Sequence, residues 1–338
     1  MKDANSRVPE FLKCRVLVVG DLMLDEYCRG HIERISPEAP VPILSVTGRD
    51  VALGGAANVV RNLRSLGAEV DVVGVIGEDE TGEQIYNLLG EFGVDTSGVV
   101  KDAQRRSSRK VRFVSLEHGQ QVFRIDEESV QPVAGEVEEK VVRLVCEKAL
   151  STEVILCSDY LKGVLTDRVL RETFRAGKSG KKPVIVAPKA SNARKYAGAT
   201  MLMPNARELS RLVGTPMDGI PWLEASAERL TKSLSLDALL VTRGKEGMSL
   251  FESFAGRLRR VDIPTIARNV YDVTGAGDTA IAALAAALGS GVELRVASEL
   301  ANIAAGIVVG KRGTATVTLE EIREHAIQDE HRAAPVCA

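Results

Sequence analysis

Short runs of Val, Ile and Leu alternate along the chain with longer segments in which apolar residues recur every three or four positions. Unbroken apolar runs at residues 16–19, 70–76, 154–157, 184–186 and 239–242 predict strands buried on both faces. Between them, residues 56–66, 82–92, 137–149 and 168–176 carry helical spacing, and the Ala-rich stretch 280–288 predicts a further helix. Such alternation implies an α/β fold with a parallel sheet covered on both faces. Ligands of these sheets bind beyond the carboxyl ends of the strands.

Two stretches break the pattern. Residues 35–51 hold Pro37, Pro40 and Pro42 around a short β-like run at 43–46. Residues 109–125 alternate polar and apolar positions (Lys110, Val111, Arg112, Phe113; then Gln121, Val122, Phe123, Arg124) about a Gly119 turn, which reads as a hairpin. Together they predict a small antiparallel sheet projecting as a lid, with two edge strands of the main sheet as the alternative. The expected organisation is one domain over residues 15–325, lid segments at about 32–52 and 105–126, and tails at 1–14 and 326–338. The second tail is polar and expected to be loosely ordered or helical.

Composition narrows the function classes. Of 338 residues 45% are hydrophobic but only 4% aromatic, so the core must be aliphatic. Lys and Arg number 44 against 46 Asp and Glu, with no basic stripe, which argues against a nucleic-acid partner. The longest apolar stretch is about half of the ~20 residues a membrane span needs, so no membrane partner is expected. Residues 1–15 are polar and lack a signal-peptide core. Cys14, Cys28, Cys146, Cys157 and Cys337 are odd in number and have no CxxC spacing, which disfavours disulfides and a zinc site. A cytoplasmic globular protein is expected.

The chemistry concentrates at predicted helix starts. Val270 to Thr279 reads VYDVTGAGDT and runs into the Ala-rich helix. Glycines there let the N–H groups of Gly275, Ala276 and Gly277 converge on an anion, aided by the helix dipole. Asp278, in the first turn, would repel a resting phosphate. It makes sense as an acceptor of a hydroxyl proton while a phosphoryl group crosses that anion hole. A capped helix start explains the same residues. Gly54, Gly55 and Asn58 open another helix, where a ligand can approach the backbone and Asn58 can meet a sugar hydroxyl; tight packing explains the Gly-Gly pair equally well. Asp21 and Asp25 follow the first strand, where carboxylates can hold a polyol or simply shape a turn. Asn205, Ala206, Arg207 and Glu208 begin a helix as an N-cap with capping box, or with Asn205 near nucleotide phosphates and Glu208 on water-coordinated Mg²⁺. Thr242, Arg243, Gly244 and Gly247 form a turn after a strand, suited to nucleotide phosphates or to a plain hairpin. Gly177-Lys178-Ser179 mimics a P-loop end, but Glu172 stands where its first glycine belongs and the strand–helix order is reversed. The four histidines show no ligand spacing.

The GG…N helix, the NxxE helix, the strand ending Thr-Arg-Gly and the DVTGAGD segment resemble the ribokinase (PfkB) family of carbohydrate kinases, in family order over residues 16–322. Residues 20–25 (GDLMLD), 34–42 (RISPEAPVP) and 158–163 (SDYLKG) resemble the members that act on a heptose 7-phosphate. The resemblance implies a ribokinase-like three-layer sandwich with a mostly parallel sheet and a β lid that also forms a homodimer contact. It implies ATP and Mg²⁺, and transfer to the anomeric C1 hydroxyl to give a heptose 1,7-bisphosphate, a precursor of ADP-heptose for the lipopolysaccharide inner core. Carried over by position, Asp278 becomes the catalytic base over the Gly275–Gly277 anion hole. Asp21, Asp25, Gly54, Gly55 and Asn58 take the sugar, and Lys110 and Arg112 its 7-phosphate. The residues 205–208, the 242–247 turn, Lys189 and Asn302 serve the nucleotide, with Glu208 on the metal through water. Members of the family commonly carry Asp-Pro-Lys where this chain reads Ala187-Pro188-Lys189; with the base and anion hole present, activity is still expected. No HxGH motif is present, so a kinase without a fused nucleotidyltransferase is expected. The alternatives are a kinase for another sugar phosphate and a sugar- or nucleotide-binding regulator.

Overall fold

The computed structural model describes residues 14–117, 119–254, 257–267, 270–311 and 313–325. Of the predicted tails at 1–14 and 326–338, all but Cys14 lie outside them. The apolar runs become β1 (Arg15–Gly20), β4 (Glu69–Gly77), β8 (Val154–Ser158), β9 (Val184–Ala187) and β11 (Ala238–Thr242). With β5 (Val99–Asp102) and β10 (Met201–Leu202) they form a parallel array, extended by antiparallel β12 (Met248–Phe254) and β13 (Arg257–Ile263). The nine strands lie in the order β13-β12-β11-β10-β9-β8-β1-β4-β5.

Period-two alternation on each strand sorts side chains to opposite faces. Val16 and Val18 of β1 join one core with Leu156, Leu63 and Ala283, while Leu17 and Val19 join the other with Cys157, Leu170 and Phe174. The first core packs under α1 (Ala56–Ser65), α2 (Glu80–Glu91), α7 (Ala276–Gly289) and α8 (Leu294–Val308). The second packs under α3 (Gly135–Lys148), α4 (Asp167–Gly180), α5 (Ala206–Val213) and α6 (Gly219–Leu234). The result is a three-layer α/β/α sandwich. α7 is apolar nearly all round and buried from Thr279 to Ala287, as its composition requires.

The lid differs from expectation in two respects. Its first strands are long: β2 (Leu22–Ile35) leaves β1 after a single residue, and β3 (Pro42–Gly55) returns to α1. The order β3-β2-β6-β7 pairs β2 in parallel with β6 (Ser108–Ser115), so the sheet is mixed rather than antiparallel. β6 and β7 (Gln121–Glu127) do form the hairpin, with Phe113 stacked on Phe123 at 4.3 Å between ring centroids. Among the described residues no helix is long and apolar enough to cross a membrane. Cys14, Cys28, Cys146 and Cys157 are free thiols.

Candidate active site

The starts of α1 and α7 converge beyond the carboxyl end of β1. Gly55, the residue before α1, has φ 56°, and a Cβ there would lie 2.6 Å from the Asp21 carbonyl oxygen. Gly275, before α7, has φ 80°, and its Cβ would approach Asn58 Nδ2 to 3.1 Å. Both positions need the left-handed backbone and the close approach that glycine permits. A Cβ on Gly277 would meet nothing within 4 Å and would point into open space.

This convergence fixes Asp278, which is half-buried. Its Oδ2 accepts a hydrogen bond from Asn58 Nδ2 at 2.8 Å, and its Oδ1 accepts one from the Tyr160 hydroxyl at 2.7 Å. Burial pushes the Asp278 carboxyl above its ordinary range; the two donors and the Lys189 cation oppose that rise, and the Asp25 charge adds to it. Burial and the neighbouring carboxylate raise the Tyr160 phenol well above its ordinary range, so it keeps its proton and donates. Asn62 supports Asn58: its Nδ2 donates to the Asn58 carbonyl at 2.8 Å, and Thr279 Oγ1 donates to Asn62 Oδ1 at 2.8 Å. Of the three amides expected to form the anion hole, that of Ala276 donates to the Val273 carbonyl at 3.2 Å. No side chain caps α7, which leaves its positive end to the site.

Two cavities meet at Gly277 and Thr242. A small one of about 90 Å³ is lined by Tyr160, Lys189, Asn205, Glu208 and Asp278 among others. A larger apolar one of about 560 Å³ is lined by Gly244, Gly247, Ala276, Asn302 and Gly306. Asn205 and Glu208 do form a capping box: Glu208 N donates to Asn205 Oδ1 at 2.9 Å and Asn205 N to Glu208 Oε2 at 2.8 Å. The other Glu208 oxygen takes the Lys189 ammonium. Ala206 and the exposed Arg207 lie on the same first turn but line neither cavity. Arg243 turns away, donating to Glu246 Oε2 at 3.1 Å, and Asn302 Nδ2 donates to the Pro264 carbonyl at 2.8 Å. Ala187 lines the small cavity beside Lys189.

On the lid side the expected sugar residues are distributed unevenly. Asp21 is 1% exposed, and its carboxylate accepts the backbone amides of Tyr160, Lys162 and Val164, so it organises a loop and presents no free face to a sugar. Asn58, expected at a sugar hydroxyl, spends its amide N–H on Asp278. Asp25 fits better. Arg112 Nη1 donates to its Oδ1 at 2.7 Å, and the carboxylate lies against Gly54, where a Cβ would stand 2.9 Å from Oδ2. Lys110 is paired with Asp126 at 3.0 Å and Glu128 at 3.3 Å. Arg112 also stacks over the Tyr27 ring, 5.2 Å from its centroid.

Sequence reasoning quoted Asp159 and Tyr160 only within the 158–163 motif and gave them no role, and it passed over Lys195 and Tyr196 behind them. For Asp159 and Tyr160 the signal was position: residues 159–163 follow β8 directly, at the carboxyl edge of the sheet. Among the described residues no group of three or more His, Cys, Asp or Glu side chains could hold a metal ion without further ligands.

The chain is 48% identical over 321 residues to the Geotalea uraniireducens protein named bifunctional protein HldE, a match covering 95% of this chain and 64% of that relative. It is 49% identical over 306 residues to the HldE of Geobacter metallireducens, covering 90% and 61%. The chain thus spans less than two thirds of the curated relatives it matches. Among solved structures, Arabidopsis thaliana ribokinase complexed with ribose and ATP superposes with a TM-score of 0.71 at 23% identity, covering 93% of this chain and 98% of that one. Phosphofructokinase-2 from Escherichia coli gives 0.76 at 17%, covering 93% and 99%. These two likenesses show a ribokinase-like fold. Residues 14–322 match the description "pfkB family carbohydrate kinase", and the chain belongs to that family of sugar phosphotransferases.

Proposed function

We propose that the chain transfers the γ-phosphoryl group of ATP to the C1 hydroxyl of D-glycero-β-D-manno-heptose 7-phosphate, giving the 1,7-bisphosphate used toward ADP-heptose and the lipopolysaccharide inner core. The observation that carries the phosphoryl-transfer reading is the placement of Asp278. A carboxylate sits at the uncapped start of α7, on the wall of the small cavity and within reach of the charge of Asp25, which Arg112 holds on the lid. There it can take the acceptor hydroxyl's proton while the new O–P bond forms and the leaving electron pair passes to ADP. An anomeric hydroxyl is more acidic than an ordinary alcohol, so a carboxylate base suffices. The free Asp25 oxygen beside Gly54 suits sugar hydroxyls, and Arg112 suits the 7-phosphate. The apolar cavity at Asn302 and Gly306 suits the adenine ring.

Mg²⁺ binds through one or two carboxylates and otherwise keeps water and phosphate oxygens. Glu208, 7% exposed and facing the small cavity, fits that donor set, with Lys189 standing beside it as a competing cation. The metal would neutralise charge on the transferring phosphates. Residues 34–42 and the 48–49% identity to HldE proteins favour the heptose phosphate over other sugar phosphates. Exposed apolar lid residues such as Ile35, Val46, Phe123 and Ile125 suit a homodimer contact through the lid.

The test is ADP release with MgATP across heptose 7-phosphate, unphosphorylated heptose and two hexose phosphates. Turnover confined to heptose 7-phosphate is the expected result. Turnover on a hexose phosphate alone would keep the transfer chemistry and replace the substrate, and silence on all four would favour a binding regulator.

A further inference from the structure

After β8 the chain crosses residues 159–164 in neither helix nor strand, yet this loop is among the most heavily restrained segments of the molecule. Asp21, buried under it, accepts the amides of Tyr160 at 2.8 Å and Lys162 at 3.1 Å on Oδ2, and that of Val164 at 3.1 Å on Oδ1. Asp159 is 2% exposed; its Oδ1 accepts the Leu161 amide at 2.9 Å. Its Oδ2 accepts Lys195 Nζ at 2.6 Å and the Tyr196 hydroxyl at 2.7 Å. Arg105 adds a hydrogen bond to the Lys162 carbonyl at 2.6 Å. Leu161 holds φ at 58°, a left-handed conformation that a bulky side chain adopts only when its surroundings impose it. Two buried carboxylates, two cations and a strained leucine thus fix a loop whose contact with the reacting centre is one atom, the Tyr160 hydroxyl on Asp278 Oδ1.

We propose that this loop exists to present Tyr160 as a standing hydrogen-bond donor to the base. With Asn58 on the opposite oxygen, Tyr160 fixes the plane of the Asp278 carboxylate, so that its remaining lone pairs face the acceptor hydroxyl, and it favours the ionised form. The inference rests on reading Asp278 as the general base and makes Tyr160 its positioning residue. Tyr160 keeps its own proton throughout. The acceptor's proton goes to Asp278 as the new O–P bond forms, and the bridging O–P bond to ADP breaks. Other charges facing the Asp278 carboxylate come from Arg61 of α1, Asp25 of β2 and Lys189 after β9, with Glu208 of α5 beyond Tyr160. None of them supplies a second hydrogen bond to Oδ1.

Tyr160→Phe removes a single oxygen and tests this. In the variant, kcat on its high-pH plateau should fall by about threefold to tenfold, with a further drop of about tenfold at the foot of the acid limb, as expected for one lost hydrogen bond to a charged group. KM for the sugar should stay within about twofold. Lys195→Met, which loosens the loop through Asp159 and leaves the phenol in place, should move the acid limb in the same direction by a smaller step. A second readout needs no substrate: carbon-13 titration of the Asp278 carboxyl in the free enzyme, assigned by its loss in Asp278→Asn, should move upward in Tyr160→Phe. That readout holds whichever sugar the enzyme accepts, so a failed substrate panel leaves it standing. A folded Tyr160→Phe with an unmoved titration, or one with kcat lowered evenly at all pH and a raised sugar KM, would overturn the proposal.

Discussion

The two sheets meet at the site but are built on opposite principles. In the nine-stranded sheet every central strand is buried on both faces, and the groups at its carboxyl edge are fixed by hydrogen bonds that use nearly all their capacity: Asp21, Asp159, Asn58 and Asn62 are each at most 2% exposed. The lid sheet is buried mainly where it joins the body, along β2 from Leu22 to Cys28 and at the end of β3 from Leu53 to Gly55, and the far ends of both strands are largely exposed. The lid's charges satisfy one another in pairs: in its buried part Asp25 with Arg112 and Glu26 with Arg109 and Arg49, and on the more open hairpin Lys110 with Asp126 and Glu128. The more open pairs can trade a protein partner for a ligand at little net cost, whereas a buried, fully bonded carboxylate such as Asp21 or Glu26 cannot. The body therefore holds the chemistry in place, and the lid has the freedom to recognise and enclose a substrate.

Substitutions can break that division, beginning with the largest effect. Asp278→Asn should lower kcat by about 10² to 10⁴, the usual worth of a general base, with sugar affinity within about twofold; steady-state kinetics beside sugar binding by calorimetry would check it. Gly277→Ala adds a methyl into open space at the junction of the two cavities. It should leave the melting temperature unchanged or slightly raised, because alanine favours helix. It should still reduce kcat/KM by about tenfold to a hundredfold by intruding on the phosphate path. Gly55→Ala should do the reverse and cost about 1–3 kcal/mol in denaturant unfolding, since its φ is positive and its Cβ would crowd the Asp21 carbonyl. On the lid, Arg112→Ala should raise the sugar phosphate KM by about tenfold and change kcat by less than about threefold. Equal losses in kcat and KM would blur the distinction between the sheets. Smallest of all, Ala187→Asp should alter kcat by less than about tenfold, because Lys189 already has Glu208 as its partner. A hundredfold gain would show that the natural chain lacks an essential carboxylate.

The pH dependence follows the same logic. Burial raises the Asp278 carboxyl above its ordinary range, so the active, ionised base is present above that raised value and lost as pH falls through it. The acid limb of kcat/KM should lie at higher pH than an exposed aspartate would give. A limb at the position of an exposed carboxylate would argue that another group limits the rate.

How legible each region was in the sequence depended on how local its determinants are. The sheet strands announce themselves because burial on both faces requires unbroken apolar runs. β2 does not, because Asp25 and Glu26 interrupt it, and their burial is paid for by Arg112 and Arg109 on a strand some eighty residues away. Its parallel pairing with β6 has no local signature for the same reason. Asp278 and Asn58 were readable as residue types at helix starts. Their mutual hydrogen bond was not, since it spans 220 positions, and the Tyr160 contact spans 118. Asn205 and Glu208 show the converse. Their capping box is local and was legible, and the structure adds only the long-range contact to Lys189.

The most direct test of the central claim is phosphorus-31 NMR of the product formed from heptose 7-phosphate and MgATP. The account predicts a second phosphate resonance, coupled to the anomeric proton, that grows in step with ADP and is absent with Asp278→Asn. A new phosphate coupled to another sugar proton, or inorganic phosphate alone, would contradict it.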